Sequence, residues 1–165
     1  MGHALAQNLP KQLPKELLEC VVHDPALNIK FCSQIITRAQ MSDTYLAVAH
    51  NNRGNAYYKL GKFDLAIADY TTAIKLNPDY ANPHNNRGII LQRRGDYARA
   101  IAEFDRAIDL KPDYANAYNN RGYAYQKLNR LDMASKDFKK ALAINPAHAN
   151  ARKNLEQIKA LRIPI

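Results

Sequence analysis

The tetrapeptide Asn-Asn-Arg-Gly occurs three times, ending at Gly54, Gly88 and Gly122, with a period of 34 residues. A fixed period of this length marks a chain of stacked supersecondary units, none able to bury its apolar face alone. Other columns recur in the same frame: Ala66, Ala100 and Ala134; Tyr70, Phe104 and Phe138; Ala73, Ala107 and Ala141; Pro78, Pro112 and Pro146. Five aligned columns in three copies exclude coincidence.

The physics of one unit accounts for the columns. Apolar residues spaced by three and four predict two amphipathic helices per unit, at about 81–94 and 97–110 in the second copy. Gly61 and Gly95 follow the first helix, where a left-handed residue closes it. Asn129 fills that slot in the third copy, as Asn tolerates the same backbone. The prolines end the second helix, and Asp79 and Asp113 are expected to cap the next unit. Gly88 and Ala100 are small because paired helices approach closely there, with the aromatic and second Ala filling the seam. Arg53, Arg87 and Arg121 beside the Gly are expected to pair with acids such as Asp69, Glu103 and Asp137.

These columns resemble the tetratricopeptide repeat family over residues 47–148. The family pattern places an aromatic, often Trp, at the fourth position of a unit and Leu-Gly at the seventh and eighth. This chain has His50, His84 and Tyr118 at the fourth position, and Arg before each Gly. The resemblance implies an all-α fold, a right-handed superhelical solenoid of antiparallel helix pairs. Its full units are 47–80, 81–114 and 115–148. Residues 149–165 start like a further first helix, with Ala149, Ala151, Leu155 and Ile158 apolar and Glu156 at the Gly slot. They read as a capping helix and tail, which repeat arrays need at their ends.

The frame also extends backwards. Ala66 maps onto Cys32, Tyr70 onto Ile36, Ala73 onto Ala39 and Gly54 onto Cys20. Residues 13–46 thus read as a degenerate repeat, with helices near 14–24 and 25–40 starting at Pro14 and Pro25, and residues 1–12 as a flexible N-terminus. The two cysteines occupy the Gly and Ala slots, where paired helices come closest. A disulfide needs Cα atoms about 4.4–6.8 Å apart, so a Cys20–Cys32 bond is predicted. The alternative is two buried thiols acting as small apolar residues.

Disulfides persist outside reducing compartments. Residues 4–6 read Ala-Leu-Ala, the small-x-small pattern that precedes signal cleavage. No apolar signal core lies upstream, and Met1-Gly2-His3 fits a remnant left where a signal segment was trimmed. Together these favour an exported, bacterial periplasmic location, with the cytoplasm as the alternative.

In a stacked array the first helices line one concave face, and the positions flanking the Gly point into it. The residues concerned are Asn51, Asn52, Asn55, Tyr58 and Lys59, then Asn85, Asn86, Ile89, Gln92 and Arg93, then Asn119, Asn120, Tyr123, Gln126 and Lys127, with Lys153, Asn154 and Gln157 from the cap. Asn52, Asn86, Asn120 and Asn154 recur at 34-residue spacing, although Asn is a mediocre helix former. An amide offers donors and an acceptor, which suits a partner's backbone. Some tetratricopeptide and related superhelices hold extended peptides with such an asparagine ladder, and the resemblance carries that role onto these four residues. The alternatives are bonds between neighbouring helices or inheritance by duplication.

Lys59, Arg93 and Lys127 form a cationic column that would favour an acidic segment or a terminal carboxylate. It is equally compatible with cations placed near helix C-termini, where the dipole favours them. Some relatives hold a terminal carboxylate with two Lys, one Arg and two Asn. Asn55 and Asn86 match the two Asn sites, but Asn51, Asn116 and Asn120 stand at the cation sites. Specificity for that kind of chaperone tail is therefore not expected.

No metalloprotease, paired-Cys zinc, phosphate-loop or nucleophile-elbow motif is present, and neither catalysis nor a metal or cofactor is expected. His50 and His84 sit one repeat apart in a packing slot, and helices packed about 8–10 Å apart leave them too distant to share a metal. The net charge is +9, and residues 115–165 hold ten basic groups against three acidic ones. That excess would steer an acidic partner or aid solubility. No run approaches the roughly 20 apolar residues of a membrane span. The reading is therefore a non-catalytic scaffold that binds an extended peptide of a protein partner. Self-assembly through repeat surfaces is the main alternative. Nucleic-acid binding, with Tyr58 and Tyr123 beside Lys59 and Lys127, is a lesser one.

Overall fold

The structure is a computed structural model that describes Cys20, residues 24–37 and residues 41–161. The N-terminus 1–12, nearly all of the helix expected near 14–24, and the tail after Leu161 lie outside the described residues. Those residues form eight helices and no strand: α1 (Pro25–Ile36), α2 (Asp43–Lys59), α3 (Phe63–Leu76), α4 (Ala81–Arg93), α5 (Tyr97–Leu110), α6 (Ala115–Lys127), α7 (Leu131–Ile144) and α8 (Ala149–Leu161). Two compact units share them, one up to Arg87 and one from Gly88, so α4 contributes to both.

In the first unit α1 packs on α2, and α2 on α3. Asp24 caps α1, its carboxylate accepting from Ala26 N at 2.7 Å and Leu27 N at 3.0 Å. Pro25 follows at the first helical position, where a missing N–H costs nothing. Because Asp24 is an extended cap residue, the helix expected near 14–24 does not run through it. α1 also ends at Ile36, with Thr37 as its C-cap, rather than near residue 40. Cys20 and Cys32 form a disulfide, with Cα atoms 4.9 Å apart. Both are fully buried and sit in one apolar cluster with Ile35, Ala47, Val48, Ala49, Ala73 and Tyr80. α2 begins at Asp43, capped by Ser42, about a turn before the expected start of the first full repeat.

In the second unit α5 packs on α6, α6 on α7, and α7 on α8, with a smaller contact between α6 and α8. Phe104 lies in a cluster with Ala100 and Ala124, and Phe138 in one with Ala134, Ala141, Ala151, Leu155 and Ile158. Leu155 and Ile158 let α8 close this end apolar-side in. Glu156, at the Gly slot, is exposed and pairs with Lys159 at 2.7 Å.

The glycine column has one steric cause. A Cβ at Gly54 would lie 2.6 Å from Tyr70 Cε1, at Gly88 2.6 Å from Phe104 Cε1, and at Gly122 2.7 Å from Phe138 Cε1. The ring of each second helix therefore rests on the bare backbone of its partner. Truncating such a buried ring costs about 3–5 kcal/mol.

The turns repeat as closely. Gly61, Gly95 and Asn129 adopt φ of 72°, 80° and 57°. Each closes a Schellman motif, with paired bonds such as Lys62 N to Tyr57 O at 2.9 Å and Gly61 N to Tyr58 O at 3.0 Å. The prolines occupy the second position of turns closed by Tyr80 N to Asn77 O, Tyr114 N to Lys111 O and His148 N to Asn145 O. This corrects the expected Asp113 cap. Tyr114 is the cap residue of α6 and makes no side-chain cap bond, because the proline turn places Asp113 one residue too early. Asp79 likewise lies two residues before α4, where its N–H bonds Asn77 Oδ1 at 3.2 Å.

Candidate functional site

The expected site residues all lie on first helices or on the cap. Asn52, Asn55, Tyr58 and Lys59 stand on α2, Asn86, Ile89 and Arg93 on α4, Tyr123 and Lys127 on α6 with Asn120, and Asn154 on α8. Lys59, Arg93 and Lys127 are exposed, and the others are half-buried. Asn51, Asn85 and Asn119 were expected beside them but are buried, at 3 %, 4 % and 8 % exposure.

That burial creates a regular amide network. Each inner Asn donates to its outer neighbour: Asn51 to Asn52 at 3.4 Å, Asn85 to Asn86 at 3.3 Å and Asn119 to Asn120 at 3.3 Å. The outer Asn one repeat later donates back to the inner oxygen, Asn86 to Asn51 at 3.1 Å and Asn154 to Asn119 at 3.3 Å. Asn86 spends its second donor on Asn55 Oδ1, at 2.9 Å. Asn51 also donates to the Tyr80 hydroxyl at 3.3 Å. Part of the ladder therefore bonds neighbouring helices, the alternative weighed for it above. A buried amide needs such partners, since leaving one unpaired costs about 1–3 kcal/mol.

In the first unit the surface column at Asn55 is coupled to the seam. The Tyr70 hydroxyl donates to Asn55 Oδ1 at 2.9 Å. Burial pushes the Tyr70 pKa up, so the phenol stays a donor. In the second unit the seam aromatics are Phe, and the corresponding surface residues are Ile89 and Tyr123. Both pack on the apolar clusters of Phe104 and Phe138.

The arginine column ties second helices to first. Arg53 donates Nε and Nη2 to Asp69, both at 2.8 Å, and Nη1 to Ser33 Oγ at 3.0 Å. His50 Nδ1 also lies 2.8 Å from Asp69 Oδ1. Burial pushes the Asp69 carboxyl up, but bonds from Arg53 and His50 and the charge of Arg53 outweigh it, leaving its pKa below the ordinary 3.8. Arg121 grips Asp137 through two bonds of 2.7 Å and reaches Asp105 at 2.6 Å. Burial opposes the Arg121 charge, yet its bonds to Asp137 and Asp105 raise its pKa further. Arg87 donates to Thr71 Oγ1 at 3.1 Å.

The second unit contains a cleft of about 580 Å³. Gln92, Arg93, Asn119, Asn120, Tyr123, Lys153, Asn154 and Gln157 line it, all positions that the repeat frame assigns to one face, together with Tyr97 and Asn150. The 34-residue frame held a signal for Asn150 as well, since it continues the column of Asn82 and Asn116. Lys127 lies outside this lining, with its Nζ 5.3 Å from the Tyr123 ring centre. Among the described residues, no cluster of His, Cys, Asp or Glu is arranged to hold a metal.

A family model described as a TPR repeat matches residues 54–95 and 90–129, and one described as the tetratricopeptide repeat matches 115–148. The first TPR of Spaghetti (RPAP3), solved with the HSP90 peptide SRMEEVD, is 30 % identical at a TM-score of 0.69, over 73 % of this chain and 94 % of that one. The chain belongs to the tetratricopeptide repeat family. The second TPR domain of human RPAP3, in complex with the HSP70 peptide SGPTIEEVD, is 32 % identical at a TM-score of 0.65, over 68 % of this chain and 94 % of that one. The Arabidopsis OM64 TPR domain is 27 % identical at a TM-score of 0.69, over 73 % and 99 %. A comparison with curated protein sequences found no match. This tetratricopeptide chain is thus an all-α solenoid by class. Among its described residues, no helix is long and apolar enough to cross a membrane.

Proposed function

We propose that this chain is a non-catalytic interaction scaffold that binds an extended segment of a protein partner in the cleft of its second unit. The observation that carries this reading is the cleft of the second unit, whose walls are amides, two tyrosines and two cations. Amides satisfy both kinds of backbone group and suit an extended chain of any sequence. The peptides bound by the similar RPAP3 domains support the same kind of ligand. The terminal tail of those chaperones is not the expected one, because Asn51, Asn116 and Asn120 stand where a carboxylate clamp needs cations. The Cys20–Cys32 disulfide favours an oxidising compartment, such as the bacterial periplasm.

Asn120 is the residue on which to test the scaffold. Asn86 is unsuitable, since both its donors hold α4 to α2. Asn120→Ala is expected to weaken capture of the partner from source-cell extract about tenfold, a loss of one buried bond, measured well below the variant's melting temperature because Asn119 also loses its bond to Asn120. Unchanged capture would remove the ladder role.

A second reading, self-association, draws on exposed apolar side chains at equivalent positions of two repeats. Leu60 and Leu65 recur as Leu128 and Met133, and all four are 39–48 % exposed. Light scattering decides between the readings, since a scaffold alone should stay at 18.7 kDa.

A further inference from the structure

We propose that the cleft of the second unit is a site for acidic side chains of an extended partner segment, an inference that rests on the scaffold reading above. Its lining includes Arg93 and Lys153 and no acidic side chain. A groove walled by protein and lined by one sign of charge concentrates field lines and attracts the opposite charge. Two tyrosines, Tyr97 and Tyr123, supply apolar ring faces that accommodate the methylene stem of a glutamate. The site overlaps the clamp pattern at Asn120 alone and differs in its donors, since this chain fills the clamp's cation slots with Asn51, Asn116 and Asn120.

Gln92 favours a ligand that brings N–H donors, as a peptide backbone does, over a phosphodiester chain. Its Oε1 is shielded and, among the described residues, has no hydrogen-bond partner. An oxygen in that state lacks a donor, and the terminal torsion of Gln is soft enough to turn it to the cleft. A backbone N–H of an extended peptide satisfies this oxygen. The phosphodiester groups of a nucleic-acid backbone, which offer only acceptors, do not.

Fluorescence anisotropy with defined probes tests the site. The probe is a labelled peptide of alternating Glu and Ser, acetylated and amidated at its ends. Its comparators are the Gln-for-Glu peptide, the acidic peptide with a free C-terminus, and an oligothymidylate of equal charge. The protein is the full chain, either unchanged or as Arg93→Gln/Lys153→Gln. Both residues are exposed, and circular dichroism verifies that the fold persists. The amidated acidic peptide should bind about tenfold more tightly than the Gln peptide at low salt, and the double substitution should abolish that preference. Equal binding of the two peptides would overturn the acidic site and leave the scaffold standing. Binding of neither would count against both. A requirement for the free C-terminus would reassign the cleft to terminal carboxylates. Stronger binding of the oligothymidylate, lost in the double variant, would overturn the proposal in favour of nucleic acid.

Discussion

In the first unit Arg53 divides its guanidinium between one carboxylate, Asp69, and the hydroxyl of Ser33, whereas in the second unit Arg121 holds two carboxylates, Asp137 and Asp105. The rest of each unit follows this difference. The first carries a disulfide and a hydroxyl-to-amide bond from seam to surface. The second has neither among its described residues. Its seam is all phenylalanine, and residues 88–165 hold fifteen basic and eight acidic groups, against nine and seven in residues 1–87. One backbone plan therefore supports two strategies. The first unit ties seam to surface by a side-chain bond. The second keeps the internal amide links and also lines an open cleft with amides and cations.

The largest expected effect breaks this comparison at its arginines. Asp69→Asn should destabilise the first unit by about 3 kcal/mol, because Arg53 would lose its one carboxylate and one of that group's two oxygens, keeping an amide oxygen and Ser33 as neutral acceptors. Asp137→Asn should cost the second unit about half as much, since Arg121 retains Asp105. Native-state hydrogen exchange, which resolves the units separately, checks both values. Equal losses would show that the second carboxylate contributes nothing. Acid should act in the same direction on the first unit. The folded pKa of Asp69 is depressed, so its stabilisation is complete above the ordinary value of 3.8 and fades as pH falls through the lower folded value. An Asp69→Asn protein should lack that part of the acid transition.

Removing the disulfide comes next. Cys20→Ser/Cys32→Ser, or reduction, should cost about 2–3 kcal/mol for a closed loop this short. The loss should appear in exchange of α1 and α2 and leave α6 to α8 protected. A uniform loss would mean that the units do not respond separately.

The smallest effect concerns the seam. Tyr70→Phe should cost about 1 kcal/mol, because it frees Asn55 from the only hydroxyl bonded to it among the described residues. Phe104→Tyr places a hydroxyl near Ile89, which offers no side-chain acceptor, and should cost at least as much. A neutral Tyr70→Phe by urea denaturation would remove the coupling between seam and surface.

Much of the fold was legible because its causes are local and repeated. A ring resting on a bare helix backbone demands Gly in every copy, and left-handed closure demands Gly or Asn. Those demands leave columns at a fixed spacing. The cysteine pairing was legible because the same frame placed two small residues at the closest approach. The caps were not. A proline turn shifts the helix start by one residue, which no composition signal at Asp113 reveals. The inner asparagines were also misplaced, since Asn51, Asn85 and Asn119 read as surface residues by type and are buried by register. Asp105 escaped notice because the expected acids follow their arginines by 16 residues, whereas Asp105 precedes Arg121 by 16, as Thr71 precedes Arg87.

The central claim is that the amide-lined cleft of the second unit receives an extended peptide. It is tested most directly by chemical-shift mapping on the isotopically labelled chain, titrated with the amidated acidic peptide. The account predicts that the largest shifts fall on Gln92, Asn120, Tyr123 and Asn154. Shifts confined to the exposed apolar side chains Leu60, Leu65, Leu128 and Met133, or spread evenly over exposed lysines, would contradict it.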